Sequence, residues 1–383
     1  MSLATAARHE SLLVRFDPRR NSLSVLRLAL AAIVALVHAQ AIGWGVQPTL
    51  GRTDIGELAV DAFFVISGFL VTRSALRLPG PGRFLWHRFL RIMPGFWACL
   101  LVTAFVAAPL LALAEGRSPL VVLTAPQSGP GYVLNNAALL IRQWDVAELG
   151  GTARSMNGSL WTLFYEVLCY LVAGALVTLG LTRSTRGTAR RRGTSRSPSA
   201  LRGGRALLDV ACRRAPLLIT LGVWALLALD QSGRQIGPDY LPRFLFMFLL
   251  GALALEYAER IRFSPALLTA AAVLLTGSLW MEQYRVLGGV AFAYLLMWAV
   301  VALPAGLQLR TDLSYGVYVY HWPVGLLLAQ VMALPVSPLL GAAVLGPAVL
   351  AITALVAFAS WHLVEQPALR HKNAWARTPS RPG

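Results

Sequence analysis

Ten apolar stretches, some of them short, separated by arginine-rich connections constrain this chain more than any other feature. They fall at 24–44, 57–76, 90–114, 159–181, 216–230, 241–257, 265–281, 286–304, 312–333 and 338–362. A hydrocarbon layer about 30 Å thick takes about 20 residues of helix to cross. Backbone in lipid must also satisfy its own hydrogen bonds. The pattern therefore predicts an all-α, polytopic transmembrane helical bundle of about ten spans. Composition agrees, with 56% hydrophobic and 13% charged residues, against roughly 45–50% and 25% in soluble domains.

Arginine placement sets the orientation. Ten spans put both termini on one side. If that side is cytoplasmic, 27 of the 34 basic residues lie inside and 7 outside, the asymmetry expected of cytoplasmic loops. The net charge of +17 thus sits in the loops between spans that cross the lipid bilayer, and no nucleic-acid partner is expected. The cysteines Cys99, Cys169 and Cys212 have no metal-binding spacing, so no metal is expected. Residues 1–370 read as one transmembrane domain. Within it, 182–214 carries ten arginines and one acid, Asp209, and reads as a disordered cytoplasmic loop. Residues 371–383 read as a disordered cytoplasmic tail. Residues 115–158 form a long external segment containing Pro126-Gln-Ser-Gly-Pro-Gly131.

Arg27 and His38 share the first apolar stretch. Ionisable groups inside a span are costly and mark functional sites by default. Eleven residues make about three helical turns, so the two side chains share a face, ~16 Å apart along the axis. The competing reading is a snorkelling arginine and a histidine hydrogen-bonded in the bundle core. A signal peptide ending at Ala39-Gln-Ala41 would discard His38, but Arg27 interrupts its apolar run.

Four further clusters carry unusual residues. The run Val60-Asp61-Ala-Phe-Phe-Val-Ile-Ser67-Gly68 places Asp61 and Ser67 where they can line a polar cavity, or Gly68 where helices approach closely. Arg88 and Arg91 pair at i,i+3, and Arg73 and Arg77 at i,i+4, at the cytoplasmic ends of their spans. Such pairs suit bidentate phosphate binding, though positive-inside anchoring accounts for a basic loop as well. Asn157-Gly-Ser-Leu-Trp161-Thr-Leu-Phe-Tyr-Glu166 opens the fourth span. Glu166 and His38 lie at matching depth in the outer half, so an imidazole–carboxylate pair is possible between them. Ser314-Tyr315-Gly-Val-Tyr-Val-Tyr-His321-Trp-Pro323 and the closing Glu365-Gln-Pro367 read as cytoplasmic-side structural motifs.

Taken in order, the Arg-x10-His spacing, the Val-Asp-Ala-Phe-Phe-Val-Ile-Ser-Gly run, the Arg-x-x-Arg pair, Asn-x-x-x-Trp-Thr-Leu-x-x-x-Glu, the Ser-Tyr-to-His-x-Pro run and Glu-x-Pro resemble the integral-membrane acyltransferase-3 family, over about 20–370. That family O-acylates bacterial surface sugars and some natural products. Mild departures are Ala59 in place of the usual Gly and Thr162 in place of Ser.

The resemblance implies ten spans in the bacterial inner (plasma) membrane. It implies acyl-CoA as donor substrate, with acetyl-CoA expected and no bound cofactor, and a sugar or glycoconjugate acceptor that is often extracytoplasmic. It implies an essential His38, acting as general base or as an acyl-imidazole nucleophile. Glu166 is the expected second catalytic residue, beside His38. Arg27, Arg73, Arg88 and Arg91 are expected to hold the donor. Asp61, Ser67, Asn157, Trp161, Tyr315 and His321 are expected around the substrate. Competing functions are a multi-span transporter or flippase, since buried Arg, His and Glu also build substrate pathways, and a tailoring O-acyltransferase for a macrolide-type product. Nothing in the sequence marks an oligomeric state.

Overall fold

The computed structural model describes residues 10–151, 155–182, 200–231, 240–281, 283–304, 309, 311–332, 334 and 337–376, with backbone alone at 200–213, 231, 339, 375 and 376. In chain order its main helices are α1 (Leu23–Trp44), α2 (Ile55–Arg77), α3 (Pro81–Val102), α4 (Ala108–Ala114), α5 (Gly129–Asn136), α6 (Thr162–Thr178), α7 (Ala200–Gln231), α8 (Leu241–Glu256), α9 (Pro265–Trp280), α10 (Gly289–Ala302), α11 (Ser314–Val331) and α12 (Pro338–Ser360). Among the described residues, paired strands are confined to a hairpin of Thr49–Leu50 with Thr53–Asp54.

A helix occupies each of the ten apolar segments. Four described helices are long and apolar enough to cross a membrane: Leu23–Trp44, Ile55–Arg77, Pro81–Ala114 and Leu340–Ala374. The helices α6, α9 and α10 are apolar but shorter. Local chemistry sets several boundaries. The Asp54 carboxylate caps α2, accepting from the N–H groups of Gly56 (2.6 Å) and Glu57 (3.1 Å). A π-turn over Thr103–Ala107 joins α3 to α4, and another, Trp361–Glu365, continues α12. Such one-residue insertions re-aim the side chains beyond them.

Two expectations are corrected. Residues 183–199 of the arginine-rich tract lie outside the described residues, but α7 already begins at Ala200. The reading of the tract as linker up to 214 rests on its arginines and glycines. It gives too little weight to helix-favouring Ala206-Leu-Leu-Asp-Val-Ala211, through which the apolar helix extends towards its N-terminus. The expected disordered tail is helical at its start: His371–Ala376 forms a 3₁₀ turn. Trp86 Nε1 donates to the His371 carbonyl (3.2 Å) and His87 Nε2 lies 2.9 Å from the Lys372 carbonyl. Residues 377–383 lie outside the described residues.

The chain divides into two compact units. One comprises Met1–Asn21, Asp61–Leu85 and Tyr165–Pro304. Its central helix is α8, buried almost all the way round from Pro242 to Ala254, as an apolar helix inside a bundle must be. It crosses the part of α2 in this unit at very close range. A Cβ at Gly68 would lie 1.9 Å from the Phe248 carbonyl oxygen, and one at Gly251 would lie 1.9 Å from that of Val65. Both glycines are therefore required by the crossing.

The other unit comprises Ser22–Val60, Trp86–Phe164 and Ala305–Gly383. Here α1, α11 and α12 pack on one another. Its central helix is α11, buried continuously from Ser314 to His321.

Candidate active site

Two polar contacts tie α1 to α11, and their order shows that the helices run in the same direction. Arg27 Nη1 reaches Asp312 Oδ2 at 3.0 Å, just before α11. Further along both helices, His38 Nδ1 lies 2.7 Å from His321 Nε2. Eleven residues on one helix and nine on the other span ~14–16 Å between the two contacts.

The hydrogen-bond chain fixes the ring tautomers. His321 Nδ1 lies 3.1 Å from the Val317 carbonyl oxygen, which can only accept. Nδ1 therefore carries the His321 proton, and in the neutral ring Nε2 accepts from His38 Nδ1–H. The lone pair of His38 is left on Nε2. His321 is 1% exposed, whereas His38 is half-buried. The Trp322 ring packs edge-on to His38, with centroids 4.8 Å apart.

Pro323 explains how this part of α11 receives its neighbours. Lacking an N–H, it leaves the Val319 carbonyl without its helical partner. Asn157 Nδ2 fills that vacancy at 2.8 Å, and Cys99 Sγ approaches the same oxygen at 3.1 Å. Asn157 Oδ1 accepts from Ser159 Oγ (2.7 Å), Ser159 Oγ also reaches the Tyr318 carbonyl (3.2 Å), and Thr162 Oγ1 lies 2.6 Å from the Tyr318 hydroxyl. Trp322 Nε1 donates to the Ser155 carbonyl (3.0 Å). Gly158 is needed beneath that indole, because a Cβ there would lie 2.5 Å from its ring.

At the Arg27 end, Asp312 is shared. Arg91 Nη2 reaches the same Oδ2 at 2.6 Å, and Ser314 Oγ donates to Oδ1 at 2.6 Å. Arg91 Nη1 stands 4.0 Å from Glu365. Tyr315 packs under the Arg91 guanidinium, and its hydroxyl donates to the Ile92 carbonyl (2.7 Å). Arg88 is half-buried one turn earlier on α3. Trp161 is half-buried in the turn before α6.

Residues 20–359 match the acyltransferase-3 family, described as an acyltransferase domain. The chain belongs to this family. Its relatives include "O-acetyl transferase" of Shigella phage Sf6, 25% identical over 369 residues that cover 91% of this chain and 96% of that protein. They also include "Nodulation protein 10" of Rhizobium leguminosarum bv. viciae, 26% identical over 386 residues covering 92% and 94%. No solved structure matches. The protein is thus a membrane O-acyltransferase, transferring groups other than aminoacyl groups, and the transporter reading gives way.

The remaining expected site residues of this acyltransferase lie in the other unit. Asp61 is fully buried and bound by three residues: Arg243 Nε at 2.9 Å, Arg285 Nε at 2.7 Å and the Tyr284 hydroxyl. Glu166 accepts from Ser67 Oγ (3.4 Å) and from the Tyr170 hydroxyl one helical turn away. Arg73 stacks over the Phe16 ring at 4.9 Å.

Asp312, Trp322, Arg243, Arg285 and Tyr284 lie outside the set of site residues expected from the sequence. Asp312 carries a readable signal, a single acid at the threshold of an apolar span. Arg243 and Arg285 read only as outside charges. His321 belongs by sequence to a cytoplasmic-side structural motif, yet the parallel packing of α1 and α11 sets it against His38.

Proposed function

We propose that this acyltransferase moves an acetyl group from acetyl-CoA to a hydroxyl of a sugar or glycoconjugate, with His38 as general base. The observation that supports it most is the His38–His321 pair, which leaves the lone pair of His38 on Nε2, the nitrogen turned away from His321. In this reading Nε2 takes the proton of the acceptor hydroxyl as its oxygen attacks the thioester carbonyl. The C–S bond breaks, and the coenzyme A thiolate recovers the proton from the imidazolium. His321 is a positioning residue, holding the tautomer as a buried carboxylate does in a Ser-His-Asp triad.

Donor handling belongs at the other end of the α1–α11 contact. Coenzyme A phosphates cannot enter hydrocarbon cheaply, and Arg27 and Arg91 converge there on Asp312 with Arg88 one turn away. A guanidinium offers five N–H donors, so each arginine can serve a phosphate beside its carboxylate. The ~16 Å from Arg27 to His38 then matches the reach of a pantetheine arm. Arg73, by its i,i+4 pairing with Arg77, and Glu166, by its place in the Trp161-Thr-Leu-Phe-Tyr-Glu166 motif, stay in the proposal on their sequence signals as a further donor residue and a second catalytic residue. The relative named "O-acetyl transferase" favours acetyl as the group. The parallel run of α1 and α11 agrees with their places as first and ninth spans; ten spans, cytoplasmic termini and a bacterial inner membrane complete the proposal.

The test is coenzyme A release from acetyl-CoA by the full chain in lipid nanodiscs, with membrane glycans supplied as acceptor. His38→Ala should reduce release ~10²–10⁴-fold while insertion persists. Release above a few percent of wild type would overturn the assignment.

A further inference from the structure

Acyl transfer as derived above leaves unused a concave polar cleft of about 660 Å³ in the segment expected outside the membrane. That volume is in the range of small-ligand sites. Its walls include Gln127, Asn135, Arg142, Trp144, Asp145 and Glu148.

The cleft is built on irregular chain that is nevertheless tightly held. Gln143 lies buried in it, with Nε2 donating to the carbonyls of Ser128 (3.0 Å) and Asp145 (2.8 Å) and Oε1 accepting from Asn135 Nδ2 (3.2 Å). Asn136 Oδ1 accepts from the N–H groups of Arg142 (2.9 Å) and Gln143 (3.1 Å), and its Nδ2 donates to the Gln143 carbonyl (2.7 Å). Backbone strain is concentrated here as well. The non-glycine residues with positive φ among those described are Leu139 (70°), Ala147 (52°) and Glu148 (62°). Such strain persists where surrounding structure enforces it, and it gathers at ligand sites.

The side chains left projecting define the ligand. Trp144 is 42% exposed. Among the described residues neither its indole N–H nor the side chains of Arg142 and Glu148 has a hydrogen bond or ion pair. An indole face matches the C–H face of a pyranose ring. Carboxylates, amides and a guanidinium around it match ring hydroxyls, which both donate and accept. Among the described residues that line the cleft, two carboxylates stand against one guanidinium, which disfavours a polyanion, and the polar walls disfavour a lipid tail.

The cleft is also wired to the histidine pair. Met156 N–H donates to the Trp144 carbonyl (2.8 Å), the adjacent Ser155 carbonyl accepts from Trp322 Nε1, and Trp322 packs against His38. We propose that this cleft is the acceptor subsite, binding a pyranose ring of the glycan on Trp144. The assignment rests on the acyl-transfer reading for its role, but binding can be measured without turnover.

The experiment is saturation-transfer NMR on the full chain in nanodiscs, with the methyl glycosides of glucose, galactose, rhamnose and N-acetylglucosamine as probes. At least one should receive saturation on its ring protons. Trp144→Ala should weaken binding roughly three- to tenfold, the scale of one aromatic contact, and Trp144→Phe should restore most of it. No transfer to any of the four, or transfer unchanged in Trp144→Ala, would overturn the proposal. Coenzyme A release is read on the same samples. Sugar binding without release would remove the acyl-transfer reading and leave the cleft's ligand standing, whereas release without sugar binding would remove the cleft alone.

Discussion

His38 and His321 meet through one nitrogen each, 2.7 Å apart, although 283 positions separate them in the chain. Because His321 spends its other nitrogen on the Val317 carbonyl, the pair has one consistent neutral proton arrangement. That arrangement directs the basic nitrogen of His38 away from its partner.

His321→Gln should therefore impair catalysis without abolishing it. A glutamine can still offer an acceptor to His38 Nδ1–H but does not hold the ring as rigidly. The expected loss in kcat is about 10–100-fold with acetyl-CoA KM nearly unchanged, and His38→Ala/His321→Gln should be little worse than His38→Ala alone. Losses that multiply would assign His321 to packing.

Arg27 and Asp312 should be energetically coupled. Their side chains are about one-quarter exposed and share the network with Arg91. A double-mutant cycle on thermal stability, using Arg27→Ala and Asp312→Ala, should give an interaction energy of about 0.5–3 kcal/mol. Strict additivity would mean that the bridge contributes nothing.

Asp145 should make the external segment sensitive to pH. Burial pushes its carboxyl above the ordinary value, the N–H groups of Val146 and Gly150 counter part of that, and Glu148 adds to it. The folded state therefore binds the proton more tightly than the unfolded state. Stability should fall as pH rises from the ordinary carboxylate range through the raised value. Asp145→Asn keeps an acceptor for the two N–H groups and removes the charge. It should raise Tm at neutral pH and give no gain at about pH 3, below the ordinary carboxylate value. A Tm difference that does not vary with pH would contradict this.

Gly68→Ala should be strongly destabilising, because its new Cβ would strike the Phe248 carbonyl of α8. Overpacking typically costs about 1–3 kcal/mol, and a backbone clash leaves little room for relaxation. Accumulation in the membrane and Tm in detergent are the measurements. Gly277→Ala, with open space around its Cβ position, is the control and should be near neutral or stabilising.

Much of the architecture was legible because it is written locally. Apolar length marked a helix in each of ten segments, and the Arg27–His38 spacing puts both side chains on one face whatever the fold. Gly68 announced a close approach by lacking a side chain. The linker and tail boundaries were misplaced because helix propagation past an apolar core depends on propensity and docking, which arginine count obscures.

What the sequence by itself determined was the helices, their polar faces and the membership of the chain in its family. Only the tertiary structure decided the partners. It placed α11 parallel to α1, set Asp312 beside Arg27 and His321 beside His38, supplied Asn157 to the Val319 carbonyl and buried Asp61 among Arg243, Tyr284 and Arg285. The physical reason is that helical periodicity is encoded within a few residues. Which two helices lie together depends on packing between side chains hundreds of positions apart, and no local pattern carries that choice.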